Sequence, residues 1–195
     1  LIRMTLDGSI HPKAILSLNG ALLPFRNSEG HWWSGLARLL LMNPMVPRLF
    51  AWSAGDGARV RGLIEGTGSD IDARGLELYG RLFREPAHVG GALAMMANWD
   101  LRALRDMVAH LDVPLILAAG EKDTTVEPRV AEVIAQRAPQ ATVRVLSGLG
   151  HLAHEEHPEA AEALILEIAR AHGVLPRADA PADTPPSGPT GDRAA

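Results

Sequence analysis

Two kinds of hydrophobic spacing alternate along the chain. Residues 14–19 (Ala-Ile-Leu-Ser-Leu-Asn), between Pro12 and Gly20, and residues 113–119 (Val-Pro-Leu-Ile-Leu-Ala-Ala), ending at Gly120, are short apolar runs of the kind that predict buried strands. Residues 141–146 are β-branched and predict a third. Between the first two strands the spacing becomes helical. Trp32, Leu36, Leu39 and Leu40 share one face of a helix over 31–42 that Asn43-Pro44 stops. Asp70 or Asp72 caps a second helix running to Arg84, Pro86 opens a third, and residues 101–111 form a fourth. Each later strand is followed by a loop and a helix. One helix comes after Asp123 and Pro128 and runs through Arg137; the other covers 158–172 and is closed by Gly173. In that last helix Pro158 stands in the first turn with Glu156 and Glu159 beside it, and Arg170 and His172 at the far end, all in the sense of the helix macrodipole.

Strands that feed helices in this way form a parallel sheet, so the expected fold class is α/β with an inserted helical block. The expected divisions are 1–20, the end of a helix and the strand after it; 21–111, the helical block; 112–173, two strand–helix units; and 174–195, a Pro- and Ala-rich tail expected to be disordered. Leu1 to Leu6 read as the end of a helix whose beginning is missing, stopped at Asp7-Gly8, which makes the sequence look cut.

Composition narrows the function classes. The chain has 195 residues, 47% of them apolar and 22% charged, enough for one globular domain. A formal charge of −4 provides no basic face for nucleic acid. The absence of cysteine excludes disulfides, thiolate metal sites and a cysteine nucleophile, and fits a cytoplasmic setting. No apolar stretch approaches the ~20 residues of a bilayer span.

Candidate chemistry lies after the second and third strands. In Gly148-Leu-Gly-His151-Leu-Ala-His154-Glu-Glu-His157-Pro158, a glycine-rich loop holds His151 just beyond a strand end, the edge of an open α/β sheet where ligands bind. An imidazole there can act as a general base near neutral pH. Read instead as a metal cluster, His151, His154 and His157 lie on a loop broken by Pro158 and lack carboxylates to complete a site. Gly120-Glu-Lys-Asp123 sets a carboxylate at the corresponding end of the neighbouring strand, where it could orient the imidazole and stabilise the imidazolium. Alone, Asp123 reads as a turn aspartate; paired with His151 it reads as the acid. No cofactor or metal motif is expected.

With this acid-then-histidine order the chain resembles the α/β-hydrolase superfamily, from Leu1 to about Gly173. The resemblance implies that Asp123 is the acid and His151 the base of a nucleophile–acid–histidine triad. It also implies that the chain holds the last three strands of the sheet and that residues 21–111 are a lid. The family's Gly-x-Ser-x-Gly elbow is absent, and the resemblance puts it roughly ten residues before Leu1. Ala51-Trp-Ser53-Ala-Gly55 is a near match in the right order, but Pro47 and the lack of a following strand argue against Ser53.

More narrowly, residues 2–8, 18–25, 43–50, 66–69 and 151–156 are similar to the magnesium-chelatase accessory hydrolases of bacteriochlorophyll synthesis. That similarity implies a small apolar substrate or a tetrapyrrole, or magnesium chelatase subunits, as partner. Trp32, Trp33, Met42, Met45, Met95, Met96 and Trp99 could offer soft surface to a flat ligand, or simply pack the block's own core. Three functions stay open: an acyl-transfer hydrolase, a non-catalytic scaffold for a porphyrin or the chelatase, and a lid-bearing esterase, lactonase, dehalogenase or epoxide hydrolase. Without an upstream nucleophile the chain itself is expected to hydrolyse nothing unless Ser53 serves.

Overall fold

A computed structural model describes residues 1–23, 43, 45–99 and 101–176. The expected helix over 31–42, with Trp32, Trp33 and Met42, lies outside the described residues, as does the tail beyond 176. Three strands form one sheet: β1 (Ile15–Leu18), β2 (Leu115–Gly120) and β3 (Ala141–Leu146), in the order β1-β2-β3 with both pairings parallel. Ile15 lies opposite Leu115, and Leu115 opposite Ala141, so the three C-terminal ends emerge at one edge.

Burial explains the strand compositions. Every residue of β2 is buried, as expected of a central strand covered on both faces, and its sequence is an unbroken apolar run. In β3 Ala141 and Val143 are half-buried whereas Thr142 and Arg144 face solvent, an alternation that ends at Val145, which is exposed. Leu115, Leu117 and Ala119 pack with Ile15, Ile2 of helix α1 (Ile2–Leu6), Val108, Leu111 and Ile134 in the main core.

The regular elements described between β1 and β2 are all helical: α2 (Met45–Ser53), α3 (Gly57–Glu65), α4 (Ala73–Phe83), α5 (Pro86–Ala97), α6 (Leu101–Met107) and a 3-10 turn, Val108–His110. Asp72 is the cap of α4, its carboxylate accepting from Gly75 N at 2.6 Å, and Pro86 opens α5. Inside the expected helical block the spacing singles out no helix over 45–65, where α2 and α3 lie. Asp56 divides them, capping α3 through Ala58 N.

After β2 comes α7 (Arg129–Ala135), and after β3 come α8 (Ala153–Glu156) and α9 (Pro158–Ala171). The loop expected over 148–156 therefore contains a helical turn. Glu156 does not cap α9; it reaches back to the loop before it.

Candidate active site

The loops after β2 and β3 meet. Asp123 lies three residues past β2 with its side chain fully buried, and His151 lies five past β3 with its side chain 27% exposed. His151 Nδ1 is 2.8 Å from Asp123 Oδ2. An ionised carboxylate only accepts, so Nδ1 carries the hydrogen and Nε2 is left as the basic nitrogen.

A buried carboxylate is costly unless hydrogen-bonded, and Asp123 is fully supplied. Its Oδ1 accepts from Thr125 N and Val126 N, both at 2.8 Å, in an Asx-type turn. Its Oδ2 accepts from Asn19 Nδ2 at 3.0 Å as well as from His151. No buried side-chain nitrogen or oxygen lacks a partner among the described residues.

A piece of the helical segment is wedged between the two loops. The Thr67 carbonyl accepts from Thr124 N and from His151 N, both at 3.3 Å, and Gly66 O accepts from Thr124 Oγ1 at 2.7 Å. Ser69, buried, accepts from Leu152 N at 2.8 Å. Backbones approach so closely here that only glycine fits. A Cβ on Gly68 would collide with the Lys122 carbonyl, one on Gly150 with Gly68, and one on Gly120 with the Gly150 carbonyl. The Glu156 carboxylate fastens the arrangement, accepting from Gly150 N at 2.8 Å and Asp70 N at 3.2 Å.

Ser53 is the last residue of α2, and its hydroxyl donates to Phe50 O at 2.7 Å. It does not stand between a strand and a helix, so the strained turn that exposes a nucleophilic serine is absent around it. Pro47, expected to disrupt a strand, sits buried in the first turn of α2. His154 and His157 turn to Glu155 and Glu159 on the surface, and no group of three metal-ligating side chains occurs among the described residues.

Near the wedge, the Tyr79 hydroxyl donates to Glu155 Oε1 at 2.7 Å. Burial, then the hydrogen bond and the negative charge of Glu155, push the phenol well above its ordinary range. Met45, Met95, Met96 and Trp99 are exposed.

Sequence reasoning did not single out Asn19 or Glu156 for the site. The signal available for Asn19 was the Asn19-Gly20 dipeptide at a strand end, a mark of a left-handed turn.

A family model described as the alpha/beta hydrolase family matches residues 8–164, which includes all three strands and both loops. The chain belongs to this family. Solved structures agree in fold. MenH from S. aureus superposes with a TM-score of 0.61 at 14% identity, covering 88% of this chain and 64% of that one. A thermophilic esterase from Thermogutta terrifontis gives 0.60 at 20% identity, covering 82% and 56%. Among curated proteins, the magnesium-chelatase 30 kDa subunit of Rhodobacter capsulatus is 34% identical over 153 residues, 78% of this chain and 54% of that protein. The chain thus spans about half the length of that relative. No helix among the described residues is long and apolar enough to cross a membrane.

Proposed function

We propose that this chain carries the acid and base of an α/β-hydrolase, with Asp123 orienting His151 and His151 Nε2 taking the proton of a nucleophile. That nucleophile would come from residues upstream of Leu1 in the complete protein. The observation that carries the proposal is the 2.8 Å hydrogen bond between a fully buried carboxylate and a partly exposed imidazole at the C-terminal edge of a parallel sheet. The chemistry would be acyl transfer: the nucleophile attacks a carbonyl, its proton passes to His151, and His151 returns it to the leaving group; water then repeats the cycle. The helical segment would form the lid, and the donors that stabilise the oxyanion would also lie upstream.

The likeness to a chelatase subunit favours an accessory role in magnesium insertion for bacteriochlorophyll synthesis, with a tetrapyrrole or a chelatase subunit as partner. The exposed Met45, Met95, Met96 and Trp99 would suit a flat apolar ligand. The same likeness supports a second reading, in which the hydrolase scaffold binds without catalysing.

A fluorophosphonate probe tests the first reading. With the gene extended upstream in frame, the probe should label one serine before Leu1, and Asp123→Asn or His151→Ala should cut the labelling rate by about 10³-fold or more. The 195-residue chain alone should stay unlabelled. Labelling at Ser53 would overturn the placement of the nucleophile. An extended protein that complements magnesium chelation in cells equally well with and without His151→Ala would favour the scaffold.

A further inference from the structure

The geometry points to Asn19 as the positioning residue of the Asp123–His151 pair, a role that rests on the proposed reading of that pair. Asn19 belongs to neither loop. It follows β1, 104 positions before Asp123 and 131 before Gly150, yet its side-chain amide bonds the last residue of β2 and both loops. Its Oδ1 accepts from Gly120 N at 3.1 Å, and its Nδ2 donates to Asp123 Oδ2 at 3.0 Å and to Gly150 O at 2.7 Å.

The orientation of this amide is unambiguous. Gly120 N can only donate, whereas a carboxylate oxygen and a carbonyl can only accept, so one flip of the amide satisfies all three partners. Asp123 Oδ1 is filled by two backbone N–H groups, which leaves Oδ2 with two acceptor positions. Asn19 takes one, and the other faces His151 Nδ1.

The second hydrogen of the same NH₂ group holds the carbonyl of the residue just before His151. One planar, rigid group therefore sets the carboxylate and the start of the histidine loop at a fixed separation. It does so on the side of Asp123 that the Asx turn leaves open.

The backbone is arranged to aim this side chain. Asn19 has φ 47°, a left-handed conformation that asparagine tolerates better than most residues. Its own N–H extends the ladder to Ala118 O at 2.8 Å, so the strand stops in register and the side chain turns inward. At Gly20, which follows, a Cβ would collide with the Ser17 hydroxyl.

Aspartate at position 19 would keep the shape and the acceptor for Gly120 N but set an oxygen against two acceptors. Asn19→Asp is therefore an isosteric probe of the two donations. Asn19→Gly removes the amide and keeps the left-handed backbone.

The experiment is ¹⁵N NMR of the His151 ring in the 195-residue chain, above the pH at which the imidazole titrates. In the wild type the proton should sit on Nδ1. In Asn19→Asp and Asn19→Gly the ring should move toward the Nε2–H form of an unrestrained imidazole while the amide spectrum stays dispersed. Asp123→Ala should produce the same tautomer shift. If that variant shifts the ring but both Asn19 variants leave it on Nδ1, the pair stands and Asn19 is only structural. If Asp123→Ala also leaves the tautomer unchanged, the reading of the pair itself fails. If neither Asn19 variant folds, the residue serves the fold, and its assignment as a positioning group is overturned.

Discussion

At the scale of single residues, two positions make sharp predictions. Gly68 combines a φ of +80° with a backbone contact to Lys122 that leaves no room for a Cβ. Gly68→Ala would need both a disfavoured conformation and a displaced acid loop, and should destabilise the fold by about 3 kcal/mol or more, read by chemical denaturation. Tyr79 is the chain's one tyrosine, so its ionisation can be followed without interference. Burial and its hydrogen bond to Glu155 raise the phenol above its unfolded value. The raised group stabilises the fold fully below the unfolded phenol's range, near pH 10, and that contribution is lost as pH climbs toward the folded value. Tyrosinate absorbance should therefore appear only above pH ~10 in the folded chain, and stability should decline with rising pH over the same interval. Tyr79→Phe should cost about 1 kcal/mol at neutral pH and remove this dependence.

At the scale of elements, what matters is how helices and loops are fastened. Glu156 ends the short helix α8, and its carboxylate joins the histidine loop at Gly150 N to the segment ahead of α4 at Asp70 N. Glu156→Ala should speed amide hydrogen exchange at Gly150 and Asp70 together while leaving β2 protected, at a cost of about 1–2 kcal/mol. The local pattern placed Glu156 beside Pro158 as a favourable charge at a helix start, which is correct as to position. It could not show that the carboxylate turns backward, because that choice depends on an N–H supplied 86 residues earlier by Asp70. The separate existence of α2 and α3 was hidden for a related reason. Trp52, at 82% exposure, and Leu49 stand on the outer side of α2, so the apolar residues there do not mark a single buried stripe.

At the scale of the molecule, the helical segment and the sheet share the site instead of flanking it. Thr67 O bridges both loops, Ser69 holds Leu152 N, and Tyr79 reaches Glu155. Opening one part strips hydrogen bonds from the other, so the two should unfold as one unit. Tryptophan fluorescence, whose described reporters Trp52 and Trp99 lie in the helical segment, should give the same denaturation midpoint as the backbone amides of β2 followed by NMR. Two separated midpoints would show that the segment unfolds by itself. Membership of the alpha/beta hydrolase family is consistent with a sheet that presents its strand ends at one rim.

The sequence by itself determined the alternation of strand and helix, the parallel sheet that follows from it, and hence that the loops bearing Asp123 and His151 leave neighbouring strands at the same edge. These features are encoded locally, in hydrophobic period and in Gly, Pro and Asp punctuation, and they survive reading a few residues at a time. Only the tertiary structure decided that Asn19 gives both amide hydrogens to Asp123 and Gly150, that residues 66–69 lie between the loops, and that Glu156 clasps them. Apart from the bond between Glu156 and Gly150, the side-chain bonds of Asn19, Ser69 and Glu156 join groups 83 to 131 positions apart. Their geometry depends on strand register and on a left-handed turn at Asn19, which no spacing within one element records.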